Sequence, residues 1–128
     1  MTLVLDSGGI SALAGHRARL TELRNRGLWP AQVPSVVLAE ALTGDARRDF
    51  RANHLLRTCQ IRDIDEPTSR EAARLRTATG KASKISAVDA VVAAFASHHP
   101  NPIVLTSDPR HLGALAAQTV RPITIVAT

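Results

Sequence analysis

Four acidic residues occupy positions from which a folded chain could bring their carboxylates together. Asp6 ends the short apolar run Leu3–Leu5, and Asp108 follows a second apolar run that ends at Thr106. Short runs of this kind are typical of strands that are buried on both faces of a parallel sheet. The carboxyl ends of parallel strands share one edge of the sheet, where open α/β folds bind their ligands. Asp6 and Asp108 are therefore expected at that edge.

Glu40 and Asp89 are expected close by, because each lies in a predicted helix that follows a loop. Helix starts gather at the same edge, since each helix begins where a strand ends. Four carboxylates in one cleft repel one another unless a cation lies between them, and hard divalent ions prefer oxygen ligands. Such an ion can activate a water molecule and stabilise a phosphodiester during its hydrolysis. The four acids together therefore favour a metal site.

Each acid also has a purely structural interpretation. Asp6 and Asp108 could cap the helices that follow them. Asp89 lies three residues after Ser86, which is the spacing of a capping box. Glu40 lies beside apolar helix positions and, if buried, needs an arginine as its partner. Taken singly, each acid is open to both interpretations.

Apolar runs and helical periodicities alternate along the chain, which is typical of an α/β fold with a mostly parallel sheet covered by helices. The predicted strands span residues 3–5, 32–33, 59–64, 103–106 and 123–126, and the predicted helices span residues 9–14, 16–26, 36–43, 45–58, 68–79, 86–98 and 107–117. A capping box of Thr68 and Glu71 is expected to begin the fifth helix. The sixth has the clearest period, with a predicted buried stripe of Val88, Val91, Val92, Phe95 and Ala96.

The composition favours one globular domain that contacts polyanions. The chain of 128 residues is 45% hydrophobic and carries 16 Lys and Arg against 11 Asp and Glu, a net charge of +5. A small protein this basic is predisposed to bind nucleic acid. Aromatic residues make up only 2% of the chain, which argues against bases stacked on an aromatic platform. The single cysteine excludes an internal disulfide and a cysteine metal site.

Other classes of protein are disfavoured by what the sequence lacks. No stretch has the apolar length of a membrane span, and no signal peptide pattern is present, so a cytoplasmic protein is expected. The sequence contains neither a P-loop nor a Gly-x-Ser-x-Gly elbow. Lys81 and Lys84 could contact RNA phosphates near the acids, although a solvated surface explains them equally well. The histidines are not assigned to the site: His98 and His99 lie at a helix end, and His16, His54 and His111 are scattered.

Taken in order, the four acids and their neighbours resemble the PIN domain, and most of all the VapC-type ribonuclease toxins of type II toxin–antitoxin pairs. The resemblance rests on the segments Leu5–Ser7, Ser35–Glu40, Ile85–Ala94 and Leu105–Asp108. It extends over essentially the whole chain, residues 1–128, as a single domain. It implies a three-layer α/β/α sandwich and an endoribonuclease that depends on Mg²⁺ or Mn²⁺.

The resemblance also implies roles for individual residues. The metal-binding and catalytic residues are then Asp6, Glu40, Asp89 and Asp108, and the supporting hydroxyls are those of Ser7, Thr106 and Ser107. RNA is the implied substrate, and the implied partners are a cognate antitoxin that inserts a segment over the active site and a second copy in a homodimer. The apolar residues 36–42 would suit the dimer surface. The sequence Ser7-Gly8-Gly9 departs from the family pattern and predicts a looser turn after the first acid.

Two other functions compete with the nuclease. A non-catalytic, basic nucleic-acid-binding module explains the net charge without using the acids, and it predicts binding that weakens with salt and does not depend on Mg²⁺. A phosphoacceptor domain of the receiver type is disfavoured, since Asp6 has no neighbouring acid and no lysine follows Lys84.

Overall fold

The computed structural model describes residues 1–128 and contains five strands and seven helices. The strands are β1 (Thr2–Leu5), β2 (Gln32–Pro34), β3 (Gln60–Arg62), β4 (Pro102–Thr106) and β5 (Thr124–Ala127). The helices are α1 (Ser7–Leu13), α2 (Arg17–Asn25), α3 (Leu38–Ala41), α4 (Phe50–Leu56), α5 (Glu66–Ala78), α6 (Ala87–Ser97) and α7 (Pro109–Ala116), and a 3₁₀ turn, Ser35–Val37, precedes α3. Every predicted strand and helix therefore has a counterpart, with shifted boundaries.

The five strands form one parallel sheet in the order β3-β2-β1-β4-β5. The chain moves outward from β1 to β3 in one direction and from β4 to β5 in the other, so the strand order reverses between β1 and β4. These two strands are in register, with Leu5 beside Leu105. Open α/β folds have a ligand-binding crevice where the strand order reverses. In this protein the crevice lies between the carboxyl ends of β1 and β4, which lead into Asp6 and Asp108.

Helices cover both faces of the sheet. α1 contacts β1 and β4 together with α2, α3 and α4, whereas α6 contacts β1, β2 and β4 and packs against α5 and α7. This arrangement confirms the expected three-layer α/β/α sandwich. None of the seven helices combines the length and the apolar composition that a membrane crossing requires.

The core lies along the two central strands and α6. Val4, Leu5, Val104 and Leu105 are all buried, because successive residues of these strands meet helices on opposite faces of the sheet. Along α6, residues 92–97 are buried without interruption. The predicted single stripe is too narrow because α6 contacts the sheet, α5 and α7 at the same time.

The segment between β2 and α4 differs most from its prediction. The predicted helix over 36–43 is replaced by the 3₁₀ turn and the single turn of α3. The predicted helix over 45–58 is shortened to α4, and a loop precedes it. The buried carboxylate of Asp49 accepts hydrogen bonds from the N–H groups of Thr43 at 2.9 Å and Gly44 at 2.8 Å. The Thr43 N–H, above all, lowers the pKa of Asp49. These backbone groups are therefore unavailable for a continuous helix.

Residues 36–42, predicted to suit a homodimer surface, are in large part packed against the core, and the dimer itself stays a prediction. Val37 belongs to the core, and Leu38, Ala41 and Leu42 pack against it. The reason is that α3 and the preceding 3₁₀ turn lie against the rest of the fold, with α3 packed on α1 and the turn in contact with α6.

Helix α5 begins earlier than its sequence pattern indicates, because a different residue caps it. Asp65 accepts a hydrogen bond from the N–H of Thr68 at 2.9 Å, and Pro67 occupies the first turn. The predicted capping box of Thr68 and Glu71 is therefore wrong. Glu71 instead lies 2.6 Å from Nε2 of His98, at the end of α6.

The two glycines in the first turn of α1 make a close backbone contact, and the predicted looser turn is wrong. A Cβ atom on Gly8 would lie 2.7 Å from the backbone nitrogen of Ser107, and one on Gly9 would lie 2.5 Å from the carbonyl oxygen of Leu105. Backbone atoms at the end of a central strand cannot move aside easily. The glycines therefore let the start of α1 lie directly against the end of β4.

We expect Gly9→Ala to lower the free energy of unfolding by about 1–3 kcal/mol, since the added methyl group has to displace the backbone of β4. Denaturant unfolding followed by circular dichroism measures this change. Gly113→Ala is the matched control, because Gly113 also lies in a helix and an added Cβ there meets no atom within 4 Å. The control is expected to be neutral or to stabilise by up to about 1 kcal/mol. Equal stability of the two variants would contradict the close contact.

Candidate active site

Asp6 is held at the end of β1 by two hydrogen bonds. Its Oδ1 accepts from the N–H of Gly9 at 2.8 Å and so caps α1, and its Oδ2 accepts from the hydroxyl of Thr106. The residue is only 4% exposed. Asp6 thus caps α1, as its structural interpretation predicts. Each carboxylate oxygen has a second lone pair, so the same residue can also bind a metal ion.

Thr106 connects the first acid to the last. Its hydroxyl donates to Asp6 and accepts from the N–H of Asp108 at 2.9 Å. The residue is fully buried at the end of β4, so no water competes for these two bonds. The hydroxyl therefore fixes the position of Asp6 relative to the start of α7.

Asp108 caps α7 and contacts a histidine that the sequence analysis leaves out. Its Oδ1 accepts from the N–H of His111 at 3.3 Å, and its Oδ2 lies 2.7 Å from Nδ1 of the same residue. The spacing of three residues in one helical turn is the signal that could have placed His111 beside the acid.

Asp89 lies in the first turn of α6, where its N–H donates to Oγ of Ser86 at 3.0 Å. Ser86 therefore caps the helix. The pKa of Asp89 is raised from 3.8 to about 6, first by burial and then by the charges of the other three acids, Asp108 foremost. Asp108, Asp6 and Glu40 are therefore all near enough to Asp89 for their charges to raise its pKa.

Glu40 belongs to the exposed side of α3. The predicted position beside the apolar stripe is wrong, since the residue is exposed. The alternative interpretation of Glu40, a structural salt bridge with an arginine, is also excluded, because Glu40 forms no salt bridge. It lines a shallow groove of about 520 Å³ together with Ser7 and Ser107. The two serines that the sequence analysis selected therefore border the same groove as the acid.

Lys81 and Lys84 lie in an exposed turn directly before α6. The N–H groups of Lys84 and Ile85 both donate to the carbonyl oxygen of Lys81, at 2.9 and 3.0 Å. Neither lysine forms a salt bridge. Both ammonium groups are thus available to an anionic ligand.

The donor set fits a divalent cation. One ligand atom from each of Asp89, Asp108 and His111 lies within 4.8 Å of the other two. Asp6 and Glu40 are close enough to act on the pKa of Asp89. No lysine or arginine forms a salt bridge with any of the four acids. Several carboxylates without a cationic side chain between them are stabilised by a hard metal ion.

We expect Asp89→Asn to raise the free energy of unfolding of the metal-free protein more at pH 7.5 than at pH 4, by about 1–3 kcal/mol. The reason is the raised pKa of Asp89 in the folded wild type. Between the ordinary pKa and about 6, folded Asp89 binds more protons than the unfolded chain. The free energy of unfolding of the wild type therefore decreases as the pH rises through this window. Asparagine does not titrate, so the variant lacks this decrease.

Thermal unfolding in EDTA at the two pH values measures this difference. Asp63→Asn is the control, because Asp63 is an exposed acid in the loop after β3. If Asp89→Asn raised the thermal stability equally at both pH values, repulsion between Asp89 and the other acids would be contradicted.

Comparison with known proteins identifies the family. The model of the PIN domain matches residues 4–116. No curated protein matches the chain. The fold is similar to that of DNA-bound VapBC from Salmonella typhimurium, with a TM-score of 0.71 and 15% identity over 99% of this chain and 98% of that chain.

Two further solved structures share the fold. VapBC2 from Rickettsia felis, bound to a promoter DNA fragment, has a TM-score of 0.72 and 16% identity over 100% of this chain and 99% of that chain. FitAcB from Neisseria gonorrhoeae has a TM-score of 0.64 and 18% identity over 96% of both chains. The likeness in fold agrees with the match over residues 4–116, which confirms the resemblance read from the motifs: the chain belongs to the PIN domain family.

Proposed function

We propose that this protein is a metal-dependent endoribonuclease and the toxin of a type II toxin–antitoxin pair. The observation that carries the proposal is the close approach of Asp89 and Asp108 where the order of the parallel sheet reverses. The charges of Asp6 and Glu40 also act on Asp89, and no lysine or arginine forms a salt bridge with any of these acids. Open α/β folds bind their ligands at such a reversal, and carboxylates in this number suit a hard cation. Membership of the PIN domain family supports a nuclease.

The residues proposed to hold Mg²⁺, or Mn²⁺ in its place, are Asp6, Glu40, Asp89 and Asp108. When bound, the ion supplies a polarised water molecule and positive charge beside the phosphodiester. The hydrogen bond from Thr106 keeps the Asp6 carboxylate in one orientation, so that little reorganisation is needed when a ligand arrives. The raised pKa of Asp89 in the metal-free protein shows that burial and the neighbouring acids disfavour its charge, and a bound cation would offset this cost.

The remaining groups are suited to binding the RNA backbone. Ser7 and Ser107 border the groove beside the acids and can donate hydrogen bonds to phosphate oxygens. Lys81 and Lys84, in the turn before α6, can pair with phosphates further along the strand. These contacts bind phosphates without reading bases, and the net charge of +5 attracts the polyanion over longer distances.

We expect purified protein to cut a structured RNA pool with Mg²⁺ or Mn²⁺ and not with EDTA. Asp6→Asn is expected to reduce the cleavage rate by about a hundredfold or more, since it removes one negative charge from the metal site. Gel analysis of end-labelled RNA measures the rate. Asp63→Asn, an exposed acid outside the site, is the control and should cut like the wild type.

The competing binding module has a different signature in the same experiment. Salt-sensitive binding with no cutting in any lane, also with the tRNA and ribosomes of the source organism, would favour that module over the nuclease. Full activity of Asp6→Asn would remove this acid from the proposed mechanism.

A protein partner is part of the proposal. Two of the similar folds were solved as VapBC complexes bound to DNA, which supports an antitoxin for this chain. The family resemblance suggests that a segment of the antitoxin inserts over the active site. A cavity of about 570 Å³ lies beside α1, α2 and α4 and offers an anchor for another part of that partner.

This anchor groove combines an apolar wall with positive charge. Its apolar residues are Leu13, Leu20, Phe50 and Leu55, and its arginines are Arg17, Arg24 and Arg51. Phe50 is 69% exposed and stacks on the ring of His54 with a centroid distance of 6.4 Å. The combination suits an acidic segment that presents an apolar side chain to the groove.

We expect Phe50→Glu to weaken binding of the antitoxin by about tenfold or more, because it replaces an exposed anchor with a charge of the same sign as the partner. Cleavage of free RNA should be unchanged. The affinity can be measured by calorimetry with the antitoxin co-purified from the native operon. Val120→Glu changes an even more exposed residue outside the groove and serves as the control. Equal affinity for both variants would exclude the groove as the anchor.

The remaining features of the proposal rest on the family. Near-complete alignment with single chains of similar fold supports one domain over residues 1–128. The resemblance supports a homodimer and a cytoplasmic site of action, where RNA substrates are found. Candidates for a dimer surface are other large apolar residues that stay exposed, namely Met1, Ile61 and Val126.

A further inference from the structure

His111 lies among the acids, although the predicted site does not include it. It occupies the first turn of α7, and its Nδ1 is 2.7 Å from Oδ2 of Asp108. One of its ring nitrogens lies within 4.8 Å of carboxylate oxygens of both Asp89 and Asp108. Its side chain is 31% exposed, so the ring is held by its surroundings and still open to solvent. No other histidine of the chain lies in such a cluster.

The spacing of these atoms suits the ligands of one ion. An octahedral ion with bonds of about 2.1 Å places neighbouring ligands about 3 Å apart and opposite ligands about 4.2 Å apart. The 2.7 Å between Nδ1 and Oδ2 is close to the first separation. All three ligand atoms lie within 4.8 Å of one another, so no pair is much further apart than opposite ligands of one ion. Donors that follow two different strands and loops are thus close enough to bind the same ion.

We propose that His111 is a ligand of the metal ion and makes the site a mixed nitrogen–oxygen site that favours Mn²⁺ over Mg²⁺. The inference rests on the proposed metal-dependent function. Magnesium binds oxygen almost exclusively, whereas an imidazole nitrogen suits softer divalent ions and adds affinity that rises along the transition series. His111 thus raises the affinity for Mn²⁺ relative to Mg²⁺, whereas the four carboxylates alone would discriminate little between the two ions.

A hydrogen bond from His111 to Asp108 is the competing role, and the two roles differ in what they predict. A histidine that only orients Asp108 affects every ion that Asp108 binds, so its loss weakens Mg²⁺ and Mn²⁺ by similar factors. A histidine that binds the ion itself weakens Mn²⁺ selectively and leaves a nitrogen signal on the metal. Ion selectivity and spectroscopy therefore separate the two roles without any measurement of cleavage.

The test uses the purified protein with MnCl₂ and MgCl₂ as probes. We expect His111→Gln to raise the Kd for Mn²⁺ about tenfold or more and the Kd for Mg²⁺ about threefold or less. Pulsed electron paramagnetic resonance of Mn²⁺ bound to ¹⁵N-histidine-labelled protein should show a directly bound nitrogen that His111→Gln abolishes. His98→Gln is the matched control, because His98 lies at the other end of α6 from Asp89 and pairs with Glu71.

The outcomes distinguish this inference from the proposed function. Binding of Mn²⁺ that Asp89→Asn abolishes, but with no nitrogen coupling and with equal losses for both ions in His111→Gln, would overturn the inference and leave the nuclease site intact. Wild-type protein that binds neither ion would overturn both. Thermal unfolding of His111→Gln, and of His111→Asn as a second variant, verifies that the folded state is retained.

Discussion

A single buried hydroxyl holds the two halves of the acidic site together. Thr106 donates to Asp6 and accepts from the N–H of Asp108, and so joins the start of the chain to a residue about a hundred positions later. The two bonds are possible because β1 and β4 are adjacent and in register, with Leu5 beside Leu105. In a buried setting such bonds are costly to leave unmade, which gives the pairing of these strands a single preferred register.

The close contact at the start of α1 serves the same geometry. Without side chains, Gly8 and Gly9 allow the helix to begin directly against the end of β4. Asp6 can then cap α1 with one oxygen and accept from Thr106 with the other. A bulkier turn would separate the strand ends, and the cap and the link to Thr106 could not both be formed. The structural and the chemical roles of Asp6 are thus consequences of one arrangement.

The acidic residues of the site lower the stability of the folded state. Burial and the neighbouring acids raise the pKa of Asp89, so at neutral pH the folded state holds a carboxylate that would be better solvated in the unfolded chain. The acids are carried by β1, α3, α6 and the turn into α7, and the packing of these elements resists their mutual repulsion. A basic protein with a net charge of +5 therefore carries a local concentration of negative charge around Asp89, which a divalent cation could neutralise.

The sequence by itself determined the parts of this protein that depend on local patterns. Apolar runs that end in Asp6 and Thr106, the period of α6 and the alternation of elements were enough to predict a parallel α/β sheet and to place two acids at its edge. Caps were less predictable, because Asp65 and Thr68 are both good caps and only the path of the chain selects Asp65. The tertiary structure alone decided that Asp49 interrupts the predicted helix, that Glu40 is exposed, and that the pair of Asp108 and His111 lies beside Asp89. These outcomes depend on distances between segments far apart in sequence, which are set by strand register and close packing rather than by the order of residues within one element.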